Sequence, residues 1–423
     1  VLCFDLGRFI EAEAYFRRGL SYAPESAWHQ TNLGCALCAQ DKLDDARYAL
    51  QSAVTLDPGF ALAWFNLGTL LVRTGKLDEA SHALAKAVQL APDDPLFRFN
   101  RALVLLKQGH FAEGWKEHEW RPSARALDAQ LASLRTSLRR WHGEPLKGRS
   151  ILIRSEQGPG DTLQFFRYVQ PVIEQRAHVT LECQSRLVRL LRANTTARVV
   201  AEAGEFSAFD FHTPLMSLPH YLGTRLDTIP RSGGYILAEE KDNDAWRKRL
   251  TCDQRIRVGL ARAGGRRPWT SRQVATDAER SIHFSVLKPL LAGDWTRFYS
   301  LQMGEAAAQA REAFEAGELE SWQDESEDLA GTAALIANLD PVISVDTAVA
   351  HLSAAMGKPT WILLGSGSCW RWLEHRDDSP WYSSVRLFRQ IEPGDWCDVT
   401  GRLTRALDQF RDIGSRESEL PTP

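Results

Sequence analysis

No apolar run in this 423-residue chain approaches the roughly 20 residues that a membrane-spanning helix needs. No signal peptide is visible either. The chain opens at Val1, without Met and inside a repeated pattern, which leaves room for an upstream segment. A charge excess is also missing: the net charge is −3, with acids interleaved among the arginines, so bulk electrostatics give no case for nucleic acid or an anionic membrane as partner. Nor is there a disulfide framework. The seven cysteines (Cys3, Cys35, Cys38, Cys183, Cys252, Cys369 and Cys397) are odd in number and scattered. That usage fits a reducing compartment, with the cytoplasm as the expected setting. Cys35 and Cys38 form a lone CxxC with no second Cys or His pair to complete a zinc tetrahedron, so they are expected to pack, and no metal is expected.

The length calls for two or three domains, and the first of them repeats. Asn32-Leu33-Gly34 recurs as Asn66-Leu67-Gly68, Lys42-Leu43-Asp44-Asp45-Ala46 as Lys76-Leu77-Asp78-Glu79-Ala80, Pro58 as Pro92 and Gly75 as Gly109, each at an offset of 34. This pattern resembles a tetratricopeptide array, whose unit is a helix–turn–helix of that length. Leu33-Gly34 lets the second helix approach, Ala46 and Ala80 are its small contact residues, and Pro58 and Pro92 stop it. The array is expected over 1–122, from a partial repeat to one fading near Trp120, as a scaffold or a concave face for a protein partner. Residues 123–148 then read as a linker.

From Arg149 the texture changes to short apolar runs alternating with helical spacing. "SILIRS", "AHVTLEC", "ARVVAE" and "FDFH" form one strand series; "RIRVGLA", "RFYSLQ", "PVISVD", "PTWILLG" and "VRLFRQ" form a second. Such alternation predicts parallel, doubly wound sheets, here two Rossmann-like lobes over 149–250 and 251–412, with a tail from 413. Ligands of such sheets bind beyond the carboxyl ends of the strands, often at a helix N-terminus. Two strand ends attract notice. In "RSEQGPGDTLQFF", Asp161 opens a helix behind Gly158 and Gly160; the loop is neither GxGxxG nor a Walker sequence, and by residue pattern alone Asp161 reads first as an N-cap. In "ISVDTAVAHLSAAMGKPTWILLG", Asp346 or Thr347 can cap the next helix, and His351 lies one turn in. Helix N–H groups there suit a phosphate, while a cap and a packed His are the alternative.

"GPGDTLQFFRYV" and "VISVDTAVAHLSAAMGKPTWILL", with "YSLQMG" and "WRWLEHRDDSPWYSSVRLFRQ", resemble the heptosyltransferase-type glycosyltransferases of family 9, and more closely their bacterial relatives with tetratricopeptide repeats in front. The resemblance runs from Trp141 to about Leu407. It implies a GT-B fold after the repeats. It also implies inverting, metal-independent transfer of a sugar from a nucleotide diphosphate to a glycan or protein acceptor, with no cofactor. Asp161, beside Gly160, matches the family's base; Asp346, Thr347, Ala348 and His351 match its diphosphate segment, and Gln302 falls near the nucleotide. A carboxylate at a helix N-terminus is a weak base, which an oxocarbenium-like transition state tolerates. Without a metal the leaving diphosphate needs cations, and Arg262, Arg266 and Arg267 follow the strand "RVGLA".

The chain departs from the family on the donor side. "ARAGGRRPW" stands for a Trp-Ala-Gly-Asn-Pro-type turn, only "AERSI" resembles the Asp-x-x-Arg-Ser element, and "GSGSCW" follows "WILL" where a hydrophobic-proline segment is usual. The aromatics of "CWRWLEHRDDSPWY" are expected to pack the lobe rather than stack on a ligand. A repeat adaptor with non-catalytic lobes, or an assembly scaffold for polysaccharide export, stands beside the enzyme as an alternative.

Overall fold

The computed structural model describes residues 7–133, 138–204, 208–230, 233–250, 255–264, 280–321 and 328–418. It divides into two compact units, one of residues up to Asp128 with Cys369–Glu374, the other of the remaining chain.

The first unit is helical. Its helices are α1 Phe9–Tyr22, α2 Ala27–Ala39, α3 Leu43–Leu56, α4 Ala61–Arg73, α5 Leu77–Leu90, α6 Pro95–Lys107 and α7 Phe111–His118, followed by α8 Pro122–Ser133. The starts of α2, α4 and α6, and those of α1, α3, α5 and α7, step by 34, so the sequence period is the structural period. Packing explains the small residues. A methyl on Gly34 would lie 2.5 Å from Leu50 Cγ, and one on Gly68 would lie 2.7 Å from Leu84 Cγ. Glycine therefore lets the paired helices close on a fully buried leucine in each repeat.

Cys35 and Cys38 are free thiols on α2, and burial pushes Cys35 up to about 12, which leaves it an inert packing residue. Cys3 and Cys252 lie outside the described residues.

The last repeat is different. Where its predecessors place Leu50 and Leu84 it places His118, and where they place Ala53 and Ala87 it places Arg121; both polar side chains are buried. Burial, then the charges of Arg121 and Arg371, holds His118 well below the usual imidazole range. Trp370 of the inserted segment packs edge-on to Trp115 at 5.3 Å, and Lys107 Nζ lies 2.9 Å from Glu374.

The second unit holds two parallel sheets. In the first lobe β1 Arg139–Arg140, β2 Ser150–Arg154, β3 His178–Glu182, β4 Arg198–Val200 and β5 Phe211–Pro214 pair in the order β1-β5-β2-β3-β4. In the second lobe β6 Ile256–Ala261, β7 Thr296–Ser300, β8 Leu319–Ser321, β9 Val342–Val345, β10 Thr360–Leu364 and β11 Val385–Arg389 pair in the order β11-β10-β9-β6-β7-β8. Each chain path runs outward from its central strand and then returns to the other side. The topological switch points therefore fall between β2 and β5 and between β6 and β9, the places where such sheets take ligands. The stretch expected as a linker contains α8 and the edge strand β1.

The principal helices of this unit are α9 Pro159–Phe165, α10 Ser185–Arg192, α11 Glu240–Leu250, α12 Leu329–Ala337, α13 Ala348–Ala355 and α14 Trp396–Ser418. Val258, Leu260, Ile343, Val345, Trp361, Leu363 and Leu403 share the core of the second lobe. The lobes are joined by buried and charged contacts. Arg167, in the turn after α9, donates to Trp381 O at 2.5 Å and Tyr235 Oη at 3.0 Å. Arg189 on α10 reaches Asp328, at the start of α12, at 2.8 Å and Asp242 on α11 at 2.6 Å.

Candidate functional site

The helix after β2 begins on a short polar loop. Gly158 occupies its N-cap position, and Asp161, three residues on, accepts the Gly158 N–H at 2.9 Å. The carboxylate thus satisfies one of the amides that a helix start leaves without an intrahelical acceptor. Across the switch point, Glu156 accepts the N–H of Met216, just after β5, at 3.2 Å.

The helix after β9 is capped by a hydroxyl. Thr347 Oγ1 accepts the Ala350 N–H at 3.4 Å and lies 2.9 Å from Ser344 Oγ. Asp346 stands one residue outside the cap, its Oδ1 3.5 Å from His351 Nε2. His351 is only 4% exposed, and its Nδ1 lies 2.8 Å from the hydroxyl of fully buried Tyr382. At its other end α13 is held by the segment that links the lobes: the N–H groups of Tyr235 and Ile236 both donate to Ala355 O, at 2.7 and 3.1 Å.

The two helix starts meet. A methyl on Gly160 would come within 3.0 Å of His351 Cδ2 and 3.4 Å of Ala348 Cα. One mouth therefore gathers Gly160, Asp161, Asp346, Thr347, Ala348 and His351 from the two lobes.

The other expected residues stand at the ends of β6 and β7. Gln302 accepts the N–H groups of Arg262 and Ala263 at 3.0 and 2.9 Å and donates to Ala263 O and Met303 O at 3.1 and 3.2 Å. Its amide ties the post-β6 turn to the post-β7 loop. Arg262 is buried and donates to Ile282 O at 2.8 Å and to Ala306 O. Desolvation draws it below the ordinary guanidinium range. Arg266 and Arg267 lie outside the described residues.

Arg280, from "AERSI", is a cation that sequence reasoning left unassigned. Its Nη1 donates to Asp346 O at 3.2 Å, and its guanidinium fills the space over Gly264, so it bridges the ends of β6 and β9. The motif carried that signal. Tyr382 carried none beyond its place in the aromatic cluster. Trp370, Trp372 and Trp381 are buried, as packing residues are. Among the described residues, no group of three or more His, Cys, Asp and Glu is arranged to hold a metal ion. Among them, too, no helix is long and apolar enough to cross a membrane.

A helical repeat array with two Rossmann-like lobes is the architecture of a tetratricopeptide protein carrying a glycosyltransferase-type α/β module. Family matches along the chain agree with it. Residues 4–61 and 37–99 match tetratricopeptide repeats, and residues 326–394, which span α12, β9 and α13, match glycosyltransferase family 9 (heptosyltransferase). Protein FlbA of Caulobacter vibrioides is 28% identical over 332 residues, covering 71% of this chain and 53% of its own. The chain thus spans about half the length of that curated relative. Among solved structures, MamA is similar at 23% identity over 32% of this chain and 75% of its own, with a TM-score of 0.27. A thermophilic tetratricopeptide protein of Thermus thermophilus is similar at 22% identity over 31% of this chain and 75% of its own, with a TM-score of 0.27.

Proposed function

We propose that the α/β unit transfers a sugar from a nucleotide-diphosphate donor to a glycan or protein acceptor, with inversion and without a metal. The observation that carries the proposal is the meeting of Gly160 with His351 and Ala348, which brings the helix starts of both switch points to one mouth. The second lobe takes the donor there. The N-terminus of α13, Arg280 and His351 offer N–H groups and positive charge to the diphosphate. The first lobe takes the acceptor. Its hydroxyl attacks the anomeric carbon, the bond to the diphosphate oxygen breaks with its electron pair leaving on the nucleotide, and Asp161 receives the acceptor proton. Arg262 and Gln302, both bonded to main chain, shape the turns under the nucleotide. Arg266 and Arg267 supply further charge on the donor side.

The repeats hold a protein partner or the acceptor. Trp28, Leu62 and Leu96 are 46%, 42% and 51% exposed and recur at the repeat period, one turn before Asn32, Asn66 and Asn100 on the same helix faces. The compartment proposed is the cytoplasm, where nucleotide sugars are the substrates at hand.

The deciding experiment is calorimetric binding of ADP, GDP, CDP, UDP and dTDP and their sugars, repeated with Asp161→Asn. A donor that binds both proteins but turns over only on the wild type supports the assignment. No binding removes the enzyme. Donor hydrolysis unchanged by Asp161→Asn removes the base and keeps the donor site. A repeat adaptor with non-catalytic lobes is the second reading, favoured by the engagement of Arg262 and Gln302 on main-chain atoms.

A further inference from the structure

We propose that Tyr382 is a positioning residue that fixes the proton of His351 on Nε2, making this histidine a hydrogen-bond donor to the mouth rather than a base. The proton placement stands on geometry alone; its use at the mouth rests on the donor-binding reading above. The imidazole is held between two oxygens. Tyr382 Oη lies 2.8 Å from Nδ1, and Asp346 Oδ1 lies 3.5 Å from Nε2. A carboxylate oxygen has no proton to offer at neutral pH, so a bare Nε2 would set a lone pair against a negative charge in a half-buried place where water screens only in part. With the proton on Nε2 that contact becomes attractive, and Nδ1 becomes the acceptor that the phenol O–H requires.

The phenol is held in that role. Tyr382 is fully buried, and its ring lies 4.7 Å under the guanidinium of Arg167. Arg167 is itself pinned by Gln164 O at 2.9 Å, Trp381 O at 2.5 Å and Tyr235 Oη at 3.0 Å. A cation over the ring draws electron density from it and strengthens the O–H as a donor. The path Arg167–Tyr382–His351 therefore runs from the first lobe's "LQFFRY" through the second lobe's "SPWY" to the α13 start. It joins motifs that lie far apart in the chain. With Nε2–H turned to Asp346 at the mouth and Nδ1 taken by Tyr382, His351 presents no basic nitrogen there, and the acceptor's proton is left to Asp161.

The test is long-range proton–nitrogen NMR of the full chain with labelled histidine at pH 8, the His351 signals assigned by their loss in His351→Gln. The expected wild-type pattern is a bare Nδ1 and a protonated Nε2. In Tyr382→Phe, which keeps the ring under Arg167, the two neutral tautomers are expected to mix, and nucleoside-diphosphate affinity to fall roughly tenfold. A proton on Nδ1 with bare Nε2, two protonated nitrogens in the wild type, or an unchanged pattern in Tyr382→Phe each overturns the proposal. Should that variant not fold, the wild-type spectrum decides alone. The expected tautomer in a protein that binds none of the five nucleoside diphosphates leaves the proposal standing and removes the donor site instead.

Discussion

At the start of α9 the carboxylate of Asp161 turns back onto the amide of Gly158, whereas at the start of α13 the hydroxyl of Thr347 takes the cap and Asp346 is turned toward His351. Two helices with the same need for capping, facing one mouth, have solved it with different chemistry. In the first lobe an anion is kept at the helix start, where it can receive a proton. In the second the anion is paired with an imidazole, and the helix start stays suited to negative charge. The proposed base on one side and the proposed donor site on the other rest on that division.

The strongest way to break the division is to neutralise the anion of the first lobe. Asp161→Asn keeps an oxygen for the Gly158 amide, so the fold is expected to stay within about 1 kcal/mol of wild type. Turnover is expected to fall roughly 100- to 10,000-fold with donor affinity nearly unchanged. His351→Gln is expected to do the reverse, weakening nucleoside-diphosphate binding about tenfold. Steady-state kinetics beside calorimetry separates the two. Equal losses of affinity in both variants would end the assignment of roles.

The first lobe also holds a buried histidine whose effect acid should reveal. His212 on β5 is pushed down to about 4, from 6.5, first by burial and then by the charges of Arg140, Arg154 and His142. A depressed folded-state value means stability that is complete above 6.5 and lost as pH falls toward about 4. The loss reaches at most about 3 kcal/mol from this group. Hydrogen exchange between pH 7 and pH 4.5 should therefore show β5 and its neighbours loosening. His212→Gln should flatten the dependence; an equal loss in that variant would show that this imidazole does not govern the acid stability of the first lobe.

Periodicity made the repeats legible almost to the residue, because each helix pair solves the same packing problem as the one before. Most strands were legible as short apolar runs, three-residue β4 among them; β1, with two residues, and β8, with one apolar residue in three, offer no such run. Strand ends singled out Asp161 and Asp346, because ligands of parallel sheets bind beyond the carboxyl ends of the strands. What could not be read was the direction of side chains. Arg262 and Gln302 sit at the expected ends yet bond main-chain atoms. Tyr382 reaches His351 from 31 residues away, a contact that no spacing rule encodes. His118 and Arg121 break the repeat pattern because their surroundings include Cys369–Glu374, which arrives from far along the chain.

A milder break is steric. Gly160→Ala would place its methyl 3.0 Å from His351 Cδ2, and His351 is held by Tyr382 and faced by Asp346. The expected cost is about 2 kcal/mol of stability, read as a lower urea midpoint at unchanged slope. A crystal structure of the variant should show α9 and α13 moved apart, with the His351–Tyr382 bond kept. Wild-type stability would mean that the ring yields and that the meeting of the helix starts is loose.

The smallest change addresses the cap of α13 alone. Thr347→Ala removes the acceptor of the Ala350 N–H and the partner of Ser344 Oγ. Caps of this kind contribute about 1 kcal/mol, and Thr347→Ser should restore most of it. The Ala350 amide should exchange faster, while the Gly158 amide, held by Asp161, should not change. Because Asp346 stands outside the cap, it cannot replace the lost hydroxyl without giving up its place opposite His351. An Ala350 amide that stays protected in Thr347→Ala, with the His351 resonances shifted, would mean that Asp346 has swung in to cap, and that the second lobe can adopt the arrangement of the first.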